Sequence, residues 1–129
     1  MTNRRSLLVL LATFAGSLAF VGTAQAAGKV SDACAKSCRS CAEVCKNCED
    51  CCKKDNPKCA KKCEACHHFC LACAALCESG SPLAYDTCVL CEKMCNECAE
   101  MCEKSDKDCC KMCAETCRKC AKECKAARS

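Results

Sequence analysis

From residue 34 onward the inward-facing positions recur in steps of three and four, and cysteine occupies nearly all of them. The stretch "CAKSCRSCAEVCKNCEDCC" sets the pattern with Cys34, Cys38, Cys41, Cys45, Cys48 and Cys52, and Cys51 stands just off it. A second run holds Cys59, Cys63, Cys66, Cys70, Cys73 and Cys77. A third holds Cys88, Cys91, Cys95, Cys98 and Cys102, and a fourth Cys110, Cys113, Cys117, Cys120 and Cys124, with Cys109 directly before it. Steps alternating between three and four average the heptad period, so each run forms one stripe along a helix. Each run fits a helix of about 20 residues and therefore about 30 Å.

The polar breaks between the runs carry helix-end chemistry. "KKDNPK" offers Asn56 as a cap and Pro57 as a first-turn residue. "ESGSPL" offers Gly80 as a stop and Ser81-Pro82 as the next start, and "KSDKD" offers Ser105 and Asp106 as caps. Four helices joined by short loops predict an all-α, antiparallel up-down-up-down four-helix bundle with a cysteine-lined core. With the cysteines at heptad positions a and d, position e carries mainly alanine: Ala35, Ala42, Ala60, Ala74, Ala99, Ala114 and Ala121. Exceptions there are His67, Glu49 and Glu92. Position g carries Val44, Phe69, Leu76, Met94 and Met101, a modest apolar seal. The outer faces alternate Lys and Glu, with Glu49/Lys53, Asp50/Lys54, Glu100/Lys104 and Glu115/Lys119 at helical i,i+4 spacing.

The first 26 residues have a different character. "MTNRRSLLVLLATFAGSLAFVGTAQA" has a basic start, an apolar run too short to span a bilayer comfortably, and an Ala24-Gln25-Ala26 ending. Residues 1–26 are therefore read as a cleaved signal peptide, and Arg4-Arg5 points to the twin-arginine route into the periplasm. Residues 27–129 form one domain.

All 24 cysteines of the 129-residue chain lie in that domain. Its formal charge is +2, the chain's +4 less Arg4 and Arg5. That balance gives no basis for a nucleic-acid surface, or for a membrane surface after cleavage. The domain has only eight residues of Leu, Ile, Val and Phe. Composition alone would make such a segment disordered, so sulfur must supply the core.

Inert packed thiols would fill a bundle poorly and stay open to oxidation. Disulfides are the ordinary use of even cysteine counts in exported chains, but packed helix axes about 8–10 Å apart keep inward thiols from pairing regularly. Metal binding suits the pattern best, because thiols three and four residues apart on one helix can converge on one ion. Iron–sulfur ligands usually sit on wrapping loops. Four thiolates around an isolated Zn(II) leave a buried charge of −2. One Cu(I) per thiolate leaves the tube neutral, which ranks Cu(I) first, while shared bridging thiolates keep zinc open.

The signal "NRRSLL" and the cysteine runs from Cys34 to Cys124 resemble the bacterial copper storage proteins. That resemblance implies storage of many Cu(I) ions by the ladder cysteines, with no enzymatic activity, in a homo-oligomer, as a tetramer in exported members. Cys51 and Cys109, at g positions, are counted as metal ligands with the rest. The alternative is a metallothionein-like detoxifier or zinc buffer. Export after folding would spare the thiols an oxidising space. The end holding Cys51, Cys52, Cys59, Cys102, Cys109 and Cys110 is expected to admit metal, with Met101 and Met112 nearby as soft ligands. His67 is a candidate nitrogen ligand at the bundle edge. The opposite end, with Val30, Leu83, Ala84 and Tyr85, is expected to be plugged. No serine stands beside a base and no carboxylate pair lies on the inner stripe, so a catalytic role has no support in the sequence.

Overall fold

The computed structural model describes residues 18–128, with side chains described from residue 32. Helix α1 spans Leu18–Cys52, α2 Pro57–Glu78, α3 Ala84–Glu103 and α4 Asp108–Ala126. The connections are short, so sequential helices run antiparallel. α1 packs on α2 and α4, and α3 packs on α2 and α4, which closes a four-membered ring. The up-down-up-down bundle read from the sequence is the observed fold.

α1 has 35 residues against 22, 20 and 19 in the others. Its backbone is helical across Ala24-Gln25-Ala26, where residues of fair helix propensity offer no break. Arg4, Arg5 and the apolar run up to residue 17 lie outside the described residues. Among the described residues no helix is long and apolar enough to cross a membrane.

The first break forms as its sequence dictates. Asn56 caps α2, its Oδ1 accepting from the Cys59 amide at 3.4 Å, and Pro57 sits in the first turn. α2 is stopped just past its end by Gly80, whose φ of +67° is a left-handed conformation that costs glycine little. The Gly80 amide donates to Cys77 C=O and the Ser81 amide to Leu76 C=O, which satisfies the last carbonyls of the helix.

The other two starts differ from expectation. α3 begins at Ala84, after Leu83, while Ser81 Oγ accepts from the Leu83 amide at 3.1 Å. α4 begins at Asp108, after an extended Lys107, and Ser105 Oγ accepts from the Lys107 amide at 3.2 Å. Ser81 and Ser105 thus close small turns ahead of the helices, and Asp106 caps neither. The later start of α4 brings Cys109 and Cys110 into its first turn.

Among the described residues, the buried core is made of cysteine and alanine, apart from Glu49 at its edge. All seven position-e alanines are buried, and Val44, Phe69, Met94 and Met101 pack half-buried against the core. Small side chains on every inner position let four backbones approach until sulfurs touch. Each thiol withdrawn from water contributes on the order of 1 kcal/mol, slightly more than a methylene.

The expected i,i+4 ion pairs are not the ones formed. Lys46 reaches Glu49 and Asp50, and other pairs join neighbouring helices: Arg39–Glu78, Lys62–Glu97, Arg118–Glu103 and Arg128–Glu92. Long charged side chains on outer faces reach across the interface where a partner helix offers a carboxylate. Exposed pairs of this kind are screened by solvent and add little to stability.

Candidate metal centre

Twenty-two cysteines, the chain's 24 less the two of one disulfide, are buried free thiols. They correspond to the a and d positions of the four stripes. Relative exposure is 0% for every one except Cys77 and Cys88, at 3% each. The stripe pattern dictates this, because every a/d side chain on each helix faces the axis.

The sulfurs form one continuous column. At one end Cys52 and Cys110 lie 3.4 Å apart, with Cys59 3.7 Å and Cys48 4.0 Å from Cys102. Midway, Cys117 lies 3.7 Å from both Cys41 and Cys45, and Cys95 lies 3.7 Å from Cys70 and 3.9 Å from Cys66. At the far end Cys34 sits 3.5 Å from Cys88 and 3.6 Å from Cys124, and Cys77 sits 3.6 Å from Cys88. Within helices the i,i+4 pairs close as well, for example Cys41–Cys45 and Cys66–Cys70 at 3.9 Å. Diagonal contacts, Cys38–Cys91 at 3.8 Å and Cys63–Cys113 at 3.9 Å, fill the axis itself.

These separations are those of shared metal ligands. With metal–thiolate bonds of about 2.3 Å, sulfurs around one ion stand about 3.8 Å apart in tetrahedral and about 4.0 Å apart in trigonal coordination. Quartets whose four sulfurs lie within 4.8 Å of one another recur along the column. Among them are Cys34/Cys38/Cys73/Cys124, Cys38/Cys91/Cys120/Cys124 and Cys41/Cys66/Cys70/Cys95. Cys41 and Cys66 reappear in the quartet with Cys45 and Cys117. Neighbouring sites therefore share ligands.

Burial dominates the protonation of three thiols near the ends of the column. It is the first cause pushing the Cys52, Cys59 and Cys77 thiols above the usual 9.0. Along the middle, hydrogen bonding between sulfurs redistributes protons. Cys66 is lowered to about 7, chiefly by the Cys117 thiol beside it. A tube with no buried cation holds thiols, and an incoming ion must displace protons to bind.

Two cysteines assigned as ligands depart from that role. Cys51, in the last turn of α1, and Cys109, in the first turn of α4, form a disulfide with Cα atoms 6.8 Å apart. A sulfur bonded to sulfur offers no thiolate, so in this state the pair is a cross-link. Side chains at flanking g positions of adjacent helices converge on the interface between them. The spacing that keeps inward thiols unbonded does not apply there.

The ends differ from expectation as well. Leu83 and Tyr85 are 61% and 60% exposed and plug nothing, because α3 starts between them with Ala84 on the ladder position. Ala84 and Ala127 pack against the core there, while the Val30 side chain lies outside the described residues. Met101 packs half-buried against the core, and Met112 is exposed on α4. His67 sits mid-helix, its Nδ1 donating to the Ala42 carbonyl at 2.8 Å. That bond ties α2 to α1 and holds His67 away from both ends. The disulfide is the feature that sequence reasoning missed. Its signal was the two cysteines out of step with the stripe.

A sequence profile described as "Copper storage protein" matches residues 24–129. Solved structures that share the fold include the Cu(I)-bound copper storage protein BsCsp3, and apo copper storage protein 3 from Bacillus subtilis. The first is 28% identical with a TM-score of 0.74, covering 78% of this chain and 99% of that one. The second is 29% identical with a TM-score of 0.73, covering 77% and 99%. No curated protein sequence matches the chain. With four cysteine-striped helices, a continuous sulfur column and a profile match over most of its length, the chain belongs to the copper storage protein family.

Proposed function

We propose that this protein stores Cu(I), holding many ions per chain as shared thiolate clusters along the bundle axis. The observation that carries the proposal is the unbroken column of 22 buried free thiols, 24 cysteines less two, with no buried cation beside it among the described residues. Metal that neutralises one thiolate per ion removes the charge that would otherwise accumulate there. Soft thiolates favour Cu(I), and the Cu(I)-bound structural relative supports the same metal. The protein acts as a store and not as a catalyst.

Export by the twin-arginine route, cleavage after Ala26 and a periplasmic location complete the reading, on the strength of Arg4-Arg5 and the short apolar run. Homo-oligomeric assembly belongs to it too, and exposed Leu90 on α3 is a side chain that a subunit contact would cover.

Anaerobic titration of the reduced mature protein tests the proposal. Cu(I) is delivered from a chromophoric chelator, with Zn(II) run in parallel. Uptake well above ten Cu(I) per chain, retained against the chelator, is the expected result. Uptake of one or two ions, or tighter retention of zinc, ends the copper-storage reading.

A further inference from the structure

Cys51 and Cys109 are the two cysteines that the sulfur column does not take in. Each is the chain neighbour of a terminal-rung residue: Cys51 precedes Cys52, and Cys109 precedes Cys110. Cys52 and Cys110 make the shortest sulfur contact in the column, 3.4 Å. The disulfide therefore spans the outside of the last rung and joins the same two helix ends. Lys107 reinforces it from the adjoining loop. Its Nζ donates to the Cys51 carbonyl at 3.1 Å and to Asp55 at 2.7 Å.

With these ties in place, the thiols of Cys52, Cys59, Cys102 and Cys110 are all 0% exposed. Separation of the last turn of α1 from the first turn of α4 would bare Cys52 and Cys110 to an ion arriving from this side. That is a local opening of two helix termini, the kind of motion that is ordinarily cheap. A covalent bond between those two turns forbids it. The bond itself is accessible, because Cys51 is exposed and Cys109 half-buried.

We propose that the Cys51–Cys109 disulfide is a redox latch: oxidised, it holds this end of the tube shut, and reduced, it opens the end and adds a two-thiolate landing site for Cu(I). The proposal rests on the copper-storage reading. The reductant is a dithiol, as in the thioredoxin class. One of its thiolates attacks a sulfur of the latch, the Cys51–Cys109 bond breaks, and a mixed disulfide forms. The second thiolate of the reductant then displaces the remaining latch sulfur. Two electrons leave the reductant as its own new disulfide, and two protons end on Cys51 and Cys109. An arriving Cu(I) displaces those protons and sits between the two sulfurs. Two-coordinate binding needs sulfurs about 4.6 Å apart, twice a metal–thiolate bond. Backbone positions 6.8 Å apart allow that when both side chains turn inward. Cys52 and Cys110, one residue further along each helix, then receive the ion.

The test compares loading rates of the copper-free mature protein under anaerobic conditions. The protein is poised in glutathione buffers of differing ratio, and differential alkylation with peptide mapping assigns the state of Cys51 and Cys109. Cu(I) is supplied as its bathocuproine disulfonate complex and followed by stopped flow. The reduced form is expected to load at least about tenfold faster than the oxidised form, the opening being tied shut in the latter. The Cys51→Ser/Cys109→Ser double variant is expected to load fast in every buffer and to bind about one ion fewer than the fully reduced protein. Equal rates for latched and unlatched protein at full capacity would overturn the latch and leave storage intact. Free Cys51 and Cys109 across the whole oxidised range would also overturn it. Capacity of one or two ions in both redox states would instead remove the storage reading beneath it.

Discussion

Replacing one complete sulfur quartet separates two ways in which the column can hold metal. Cys41, Cys66, Cys70 and Cys95 lie mid-tube with sulfurs within 4.8 Å of one another, all fully buried. Four alanines there would each lose about 1 kcal/mol of transfer free energy plus a cavity term, about 4–8 kcal/mol together. That approaches the whole stability of a small domain. The informative variant therefore conserves volume: Cys41→Ala, Cys66→Val, Cys70→Ala and Cys95→Val. Each valine occupies space that an alanine vacates, and the net cost falls to about 1–3 kcal/mol. Circular dichroism and a urea melt of the apo form check that the bundle persists. If each thiolate neutralises one Cu(I), the four substitutions lower capacity by about four ions, from about 22 to about 18. If each quartet instead holds one isolated four-coordinate ion, capacity is about five and falls by one. Anaerobic titration with metal analysis distinguishes these by a wide margin. A loss of one ion, or none, from a folded variant would refute the neutrality argument.

Other expectations concern stability and protons. Burial raises Cys52, Cys59 and Cys77 above 9.0 in the folded state, so folding favours their protonated forms. That contribution is complete below pH 9 and is lost as pH rises through the folded values. The urea midpoint of the reduced apo protein should fall between pH 9 and 11, and a flat profile would contradict this origin. Because the same thiols begin protonated, a pH-stat should record release of about one proton per Cu(I) bound near neutrality, and absence of release would mean the column is already ionised. Loading should also raise the melting temperature by well over about 10 °C, since a single site at one hundred times its Kd adds about 2.7 kcal/mol. A chelator able to strip the metal should reverse that shift in a thermal melt. Gly80→Ala should destabilise the apo protein by about 1 kcal/mol in a urea melt, because φ is +67° there and a Cβ meets no other atom to complicate the reading.

The bundle was legible because its period is carried by an unmistakable residue. A stripe of cysteines at a and d fixes which face of each helix turns inward, and alanine at e fixes how near the helices come. Asn56-Pro57 and Gly80 marked two helix ends correctly because each acts through a purely local hydrogen bond or φ angle. Ser81, Ser105 and Asp106 misled by a turn. Their hydroxyls and carboxylates serve loop geometry as readily as helix caps, and only the packed ends decide between them. The surface ion pairs were misread for a related reason: i,i+4 spacing describes a helix alone, and Lys62 or Arg118 finds its carboxylate on a neighbour. Cys51 and Cys109 were visible as exceptions to the period. Their pairing depended on how g positions of α1 and α4 meet across an interface, which spacing along one chain does not encode.

The sharing of Cys41 and Cys66 between adjacent quartets makes the tube a corridor without separate rooms. An ion can change one sulfur at a time and shuffle lengthwise without ever being fully released. Copper laid down deepest then leaves last, so the store behaves as a stack, with the most recent arrival nearest the exit.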